Sequence, residues 1–340
     1  MAVTIQDVAE RAGVSKATVS YVLSGSNSAI KITEATRERI HSAVRELNYR
    51  PNALARGLSR KRTDTVTLVL QFPSIFCGWS GFTSEMMRGA TEATIQLGYD
   101  LMLHTKYQPD LNAEVSALTD GRADGALLIR DRDDPLILKL TEFGFPCIQI
   151  FGSSSSEAVW YVDCDNVLGG ELATNTLIEL GHRNLLYLAG TSRSSVVKDR
   201  YQGFHNAVYN AVQTKNEPIS SQILEVMHPK DNQEQLREIL TSENRPTGVF
   251  AWSDEVAVHL MAFARQIGLR VPEDLSVIGF DSTELCRHTN PTLTSIRQPI
   301  VEMANFAVHL LIRRLQGEVD LEKQHLFPPA LEMRNSCRSV

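Results

Sequence analysis

From Thr65 onward, short apolar runs alternate with amphipathic segments, and no other feature limits the fold as tightly. The runs are Val66–Leu70, Tyr99–His104, Ala126–Ile129, Cys147–Phe151, Leu185–Ala189, Ile223–Val226, Gly248–Ala251 and Val277–Phe280. Near-continuous apolar runs of strand length mark strands covered on both faces. Between them, segments such as Ser84–Leu97, Leu168–Leu180, Glu255–Ile267 and Ile300–Leu315 repeat apolar residues three and four apart. Each halts at or near a glycine: Gly98, Gly181, Gly268 or Gly317. Strand, helix, strand in regular succession implies right-handed crossovers and parallel sheets, hence an α/β body. Periodicity alone leaves one large sheet, a barrel and two lobes all open.

The first 62 residues follow a different plan. They hold eleven Lys/Arg against five Asp/Glu, a net of +6, while the remainder holds 23 basic against 35 acidic residues, a net of −12. A basic head on an acidic body suits a protein whose head alone meets phosphate. Thr4 and Asp7 carry the spacing of a capping box, and Ile5, Val8, Ala9 and Ala12 then fall on one helical face. Gly13 suits a left-handed turn, Ser15 can cap the next helix, and Val19, Val22 and Leu23 are its apolar positions. Two short helices joined by a tight turn read as a helix-turn-helix. A third helix is expected to open at Thr33, turn Ile40, Val44 and Leu47 inward, and end near Asn48.

The second helix leaves Lys16, Ala17, Thr18, Ser20 and Tyr21 between its apolar positions. Lys can donate to guanine, Thr and Ser to base edges or phosphates, and Ala can touch a thymine methyl. Lys16, Ala17 and Tyr21 are expected to read bases, with Thr4, Ser15 and Asn52 positioning the backbone. After Pro51 comes a basic stretch, Asn52 to Arg62, too short to persist as an isolated helix in water. The expected organisation is a helix-turn-helix domain over 1–50, a basic linker over 51–62, and an α/β body over 63–340.

Composition excludes other classes. Hydrophobic residues make up 43% and charged residues 22%, as in folded globular proteins. Met1 to Asp7 has no basic flank followed by an apolar run, and no segment approaches the roughly 18 apolar residues of a membrane span. A cytoplasmic protein without membrane contact is expected. Cys77, Cys147, Cys164, Cys286 and Cys337 are scattered and form no C-x-x-C pair, so buried free thiols are expected rather than disulfides or a metal site. No phosphate-loop, G-x-G-x-x-G, G-x-S-x-G or H-E-x-x-H pattern occurs, which argues against an enzyme and against a cofactor.

Several phrases then resemble one family. In the head they are Thr4-Ile5-Gln6-Asp7-Val8-Ala9, Ala12-Gly13-Val14-Ser15, Thr18-Val19-Ser20 and Tyr49-Arg50-Pro51-Asn52-Ala53. In the body they include Gly169-Gly170-Glu171, Leu180-Gly181-His182-Arg183, Arg200-Tyr201-Gln202-Gly203-Phe204 and Pro272-Glu273-Asp274-Leu275 through Asp281. Together they resemble the lactose-repressor/galactose-repressor (LacI/GalR) family of transcription regulators, along essentially the whole chain. The resemblance implies an all-α helix-turn-helix head on a two-lobed, type I periplasmic-binding-protein-like body with parallel sheets. It implies a homodimer or higher homo-oligomer on a near-palindromic double-stranded operator, with a small-molecule effector controlling operator affinity. The 51–62 segment would fold on DNA as a hinge helix, Ala55 and Leu58 facing the minor groove and Leu58 wedged into it. The stretch from Ser24 to Ile32 is longer than the matching loop of many members.

In such a body ligands bind between the lobes, at the carboxyl ends of strands. Arg200 and Asp281 match positions that often hold the ligand in the family. An Arg fork and a carboxylate suit sugar hydroxyls or a charged group. Trp79, Phe82 and Trp252 could stack on a sugar ring or sit in the core. Asp254 reads as a helix-capping residue first and a ligand contact second, and Arg130 could meet ligand or solvent. The loop at Ser194 and Val196 lacks the polar pattern of some purine-binding members, so a carbohydrate is the expected effector.

Overall fold

The computed structural model describes residues 3–24, 32–50, 57, 62–71, 81–190, 194–215, 218–226 and 232–340. Expectations placed on Asn52, Ala55, Leu58 and Trp79, and on the loop between Ser24 and Ile32, fall on residues outside these. The chain divides into two compact units, Met1–Thr63 and Asp64–Val340.

In the first unit, α1 (Ile5–Ala12), α2 (Lys16–Ser24) and α3 (Glu34–Glu46) enclose Val8, Ala9, Ala12, Val19, Val22, Ile40 and Ala43. The capping box is present: Asp7 N–H donates to Thr4 Oγ1, and Thr4 N–H returns the bond to Asp7 Oδ2 at 2.7 Å. Those bonds satisfy donors that the first turn leaves open. Gly13 ends α1 at φ +65°, a conformation in which a Cβ costs about 1–2 kcal/mol, and so turns the chain into α2. Thr33 caps α3 through Thr36 N–H.

The second unit holds two six-stranded sheets. Strands are β1 (Thr65–Leu70), β2 (Asp100–His104), β3 (Gly125–Ile129), β4 (Cys147–Ile150), β5 (Tyr161–Cys164), β6 (Asn184–Ala189), β7 (Ser220–Glu225), β8 (Gly248–Ala251), β9 (Ser276–Asp281), β10 (Thr294–Arg297), β11 (Gln324–Phe327) and β12 (Ala330–Glu332). One sheet runs β11-β5-β4-β3-β1-β2 and is parallel throughout. The other runs β12-β10-β9-β8-β6-β7 and is parallel except for β12. Helices follow as α4 (Gly81–Leu97), α5 (Leu111–Leu118), α6 (Pro135–Glu142), α7 (Asn166–Glu179), α8 (Ser195–Lys215), α9 (Gln233–Thr241), α10 (Asp254–Gln266) and α11 (Ile300–Leu315).

Each sheet has its own core. Val66, Leu68, Met86, Leu127 and Ile148 lie in the first lobe, and Leu186, Tyr187, Phe250, Val277 and Phe280 in the second. The chain crosses between lobes three times: after Cys164, after Arg297 and after Phe327. The crossing after Arg297 carries α11 back to the first lobe, where Met303, Ala304, Ala307 and Leu311 complete the core with Met86 and Ala90 of α4.

Local differences from the sequence reading have simple causes. Phe151 lies beyond β4, because φ +56° takes it out of extended geometry. β7 begins at Ser220, three residues before the apolar Ile223, because an edge strand that buries only Leu224 needs no apolar run. β5, β10, β11 and β12 are not among the apolar runs; each is three or four residues long and carries at least one polar or charged residue.

Candidate functional site

On α2, Val19 and Val22 pack into the head's core while Lys16, Ala17 and Ser20 are exposed and Thr18 and Tyr21 half-buried. The Ser15 hydroxyl accepts from Thr18 N–H at 3.1 Å, and the two hydroxyls bond at 2.8 Å. Thr4 and Ser15 are therefore cap residues first, their hydroxyls oriented by the helices they start. The exposed face offers an ammonium, a methyl and a hydroxyl on adjacent turns, the group types that read a major groove.

In the body, the site is assembled where α8 meets the strand ends of the second lobe. Gly170 of α7 and Gly203 of α8 let the two helices touch backbone to backbone. A Cβ on Gly170 would lie 2.3 Å from Arg200 O, and one on Gly203 would lie 2.1 Å from Val167 O. That close approach fixes Arg200, which is 3% exposed. Its Nε donates to Asn166 Oδ1 at 2.9 Å, Nη1 to Trp252 O at 2.5 Å, and Nη2 to Asp281 Oδ1 at 3.4 Å. Its guanidinium carbon sits 3.6 Å from the Phe280 ring centroid. Asp281 also accepts from Gln298 Nε2, and its backbone is held at φ +105°. Strained backbone at a charged strand end is typical of functional sites. Burial drives the Asp281 carboxyl well above its ordinary range, opposed by Arg200.

Trp252 follows β8 half-buried, and its indole Nε1 is buried without a hydrogen-bond partner among the described residues. Phe82 opens α4 in the first lobe and stands edge-on to Phe151, centroids 4.7 Å apart. These residues stand at strand ends and helix starts. Two of the other expected ligand residues are placed differently. Asp254 is 1% exposed, and its oxygens accept from Ser295 Oγ at 2.6 Å, Thr283 N at 2.8 Å and Thr283 Oγ1 at 3.0 Å, so it braces the second lobe. Its carboxyl is pushed up to about 6 by burial, against those bonds. Arg130 is paired with Asp134 at 3.2 Å within the first lobe.

Sequence reasoning missed the contacts that join the lobes. Asp131 Oδ1 accepts from Ser195 N at 3.1 Å, Arg132 N donates to Ser195 Oγ at 3.2 Å, and the Arg132 guanidinium pairs with Asp199. The run Asp131-Arg132-Asp133-Asp134 after β3 is their only signal, and it reads as a solvated loop. The loop Ser153–Ser156 is tied down: Ser154 and Ser155 hydroxyls donate to Asp133, holding its carboxyl below the usual range. Cys147, Cys164 and Cys286 are buried free thiols, as expected, and burial raises all three.

A helix-turn-helix with an exposed basic face, on a two-lobed α/β body with charged groups at its strand ends, defines the class of ligand-responsive, DNA-binding regulators. Residues 4–52 match the bacterial regulatory proteins of the lacI family, and residues 174–337 match the periplasmic binding protein-like domain. The transcriptional repressor PurR of Vibrio vulnificus is 34% identical over 345 residues, covering 99% of each chain. The structure of a complex of the transcriptional regulator CelR with cellobiose is 31% identical, covers 98% of this chain and 99% of that one, and has a TM-score of 0.70. The lac repressor dimer bound to operator and the anti-inducer ONPF is 25% identical, with full coverage of both chains and a TM-score of 0.83. The chain belongs to the LacI family and is a transcription regulator.

Proposed function

We propose that this chain is a cytoplasmic repressor that binds a near-palindromic operator as a homodimer or higher homo-oligomer and responds to a carbohydrate effector held between its lobes. Lys16, Ala17 and Tyr21 read the bases, and Thr18 and Ser20 meet base edges or phosphates. Thr4, Ser15 and Asn52 set the backbone register, and Ala55 and Leu58 of the hinge enter the minor groove. Arg200, Asp281, Trp252 and Phe82 form the effector's surroundings, with Trp79, Arg130 and Asp254 as further members of the site. The protein acts by binding and not by catalysis. No helix among the described residues is long and apolar enough to cross a membrane.

One observation carries the effector reading. The buried Trp252 Nε1 has no hydrogen-bond partner among the described residues, and the same residue's carbonyl oxygen holds Arg200. A buried unpaired donor costs about 1–3 kcal/mol, and a ligand acceptor would remove that cost. A sugar offers both hydroxyl acceptors for the indole N–H and an apolar face for the ring. CelR, whose complex holds cellobiose, supports a sugar; PurR makes a purine the reading to exclude. Titration of the protein with cellobiose, ribose and hypoxanthine, followed by tryptophan fluorescence and repeated on Trp252→Phe, tests it. A sugar should bind, and the phenylalanine variant, keeping the ring without the donor, should bind about tenfold more weakly. Hypoxanthine alone binding, with affinity unmoved in Trp252→Phe, overturns it.

A further inference from the structure

Where the chain first crosses between lobes, a cavity of about 390 Å³ opens beside Asp163, Asp165 and Asn166. Its walls come from both lobes, Arg132 and Ser153 on one side and Asp199 on the other. Phe82, Arg130, Arg200, Trp252 and Asp281 are not among its lining residues. The charges in it are three carboxylates against one guanidinium, and that guanidinium, Arg132, is already paired with Asp199.

Asp163 is the unusual member. It is 3% exposed, yet it has no ion pair among the described residues. Its Oδ1 accepts from Cys164 N at 2.8 Å and from Asn166 Nδ2 at 3.4 Å, and Oδ2 has no hydrogen-bond partner among the described residues. Asp165 commits Oδ1 to the start of α7, donated by Leu168 N at 2.9 Å. The cavity thus presents unfilled carboxylate oxygens and a surplus of negative charge.

We propose that this crossover pocket is a second small-molecule site, separate from the main cleft, that selects a ligand carrying a protonated primary amine. An ammonium brings three donors and a compact positive charge, which suits a pocket lined by Asp163 and Asp165 besides the paired Asp199. A neutral hydroxyl in the same place gains only an ordinary hydrogen bond, about half as strong. An anion would meet net repulsion. Burial pushes the Asp163 carboxyl up to about 7, so near neutrality it is partly protonated; an arriving ammonium drives that proton off to the buffer. Because both lobes line the pocket, an occupant shifts their equilibrium by its differential affinity for the two arrangements.

Isothermal titration of the full chain at pH 7 with glucosamine, glucose and putrescine tests the proposal, run in two buffers of different ionisation enthalpy. Glucosamine, putrescine or both should bind, with glucose bound at least tenfold more weakly at that site, and binding should release protons. Glucosamine alone identifies an amino sugar, putrescine alone a linear amine, and either supports the site. Asp163→Asn should weaken the amine about tenfold or more and abolish proton release. Should that variant fail to fold, Asp165→Asn keeps the helix cap, since Asn caps as well as Asp, and should weaken the amine severalfold. No binding of either amine, equal binding of glucose and glucosamine, or unaltered affinity in the carboxamide variants overturns the proposal. Amine binding abolished by Trp252→Phe would place the amine in the main cleft and also overturn it.

Discussion

Arg200 Nη2 and Asp281 Oδ1 face each other at 3.4 Å, both side chains less than a tenth exposed, with the guanidinium laid on Phe280. Each charge is buried only because the other is there. Removing one partner of a buried pair strands the other, a loss of about 3–5 kcal/mol. Here Asp281 can protonate, which places the loss near the lower end, and Asn166 and Trp252 also lose their donor. Because Arg200 is buried, its loss costs stability as well as any ligand response. Arg200→Ala is expected to lower Tm by about 6–10 °C, and adding Asp281→Ala should cost less than the two single losses together. Thermal unfolding of the four proteins measures both.

Asp163 predicts a pH dependence. Its carboxyl is raised by burial from the ordinary value to about 7, so between about pH 4 and 7 the folded protein holds a proton that the unfolded chain has released. Stability from this group is therefore greatest near pH 4, falls as pH rises, and levels off above 7. Asp163→Asn cannot ionise. Its Tm relative to the wild type should rise across that window, by up to about 4 kcal/mol equivalent, and be flat above it. A difference constant from pH 4 to 8 would show that Asp163 is ionised throughout.

The head separates stability from recognition. Thr4→Ala removes the capping box and should destabilise α1 by about 1 kcal/mol, visible in thermal unfolding. Lys16→Ala and Tyr21→Ala should instead change which operators are preferred, by about 1–3 kcal/mol for each base edge no longer read, in binding to a randomised operator library. Uniform weakening on every sequence would make both residues phosphate clamps.

How far the sequence reached follows from burial. Strands buried on both faces, such as Val66–Leu70 and Gly248–Ala251, are legible because nearly every position is apolar; the exception, Thr67, bonds its hydroxyl to Met102 O. β11 and β12 are not, because Gln324-His325-Leu326-Phe327 and Ala330-Leu331-Glu332 lie at sheet edges where polar residues are tolerated. The periodicity of Ile300–Leu315 predicts a helix, but not that it returns to the first lobe, since an apolar stripe fits either core. Arg200 and Asp281 stand out through resemblance to a family motif; composition would have passed over them. Asp163 carries only a weak signal, a carboxylate inside the alternating run Tyr161-Val162-Asp163-Cys164. That no direct ion pair meets it among the described residues, although Arg200 and Arg132 act on it from farther off, is a three-dimensional fact.

The hinge gives a prediction that does not depend on the cleft's chemistry. On the proposed reading, residues 51–62 are too short to persist as an isolated helix and would order only against a partner hinge and DNA. Leu58→Ala should weaken operator binding and reduce DNA bending while leaving effector affinity without DNA unchanged. A flexible Gly segment inserted after Leu58 should abolish the effector's influence on operator affinity. Bending assays and titrations on the two variants check this.

The most direct measurement is operator affinity of the full chain, at fixed salt, with and without the sugar that most raises its Tm. Control of DNA binding by an effector between the lobes predicts a shift of about 5–150-fold, equivalent to 1–3 kcal/mol of coupling, with the reciprocal shift in sugar affinity when operator is added. A sugar that binds and stabilises the body while operator affinity stays the same would contradict it.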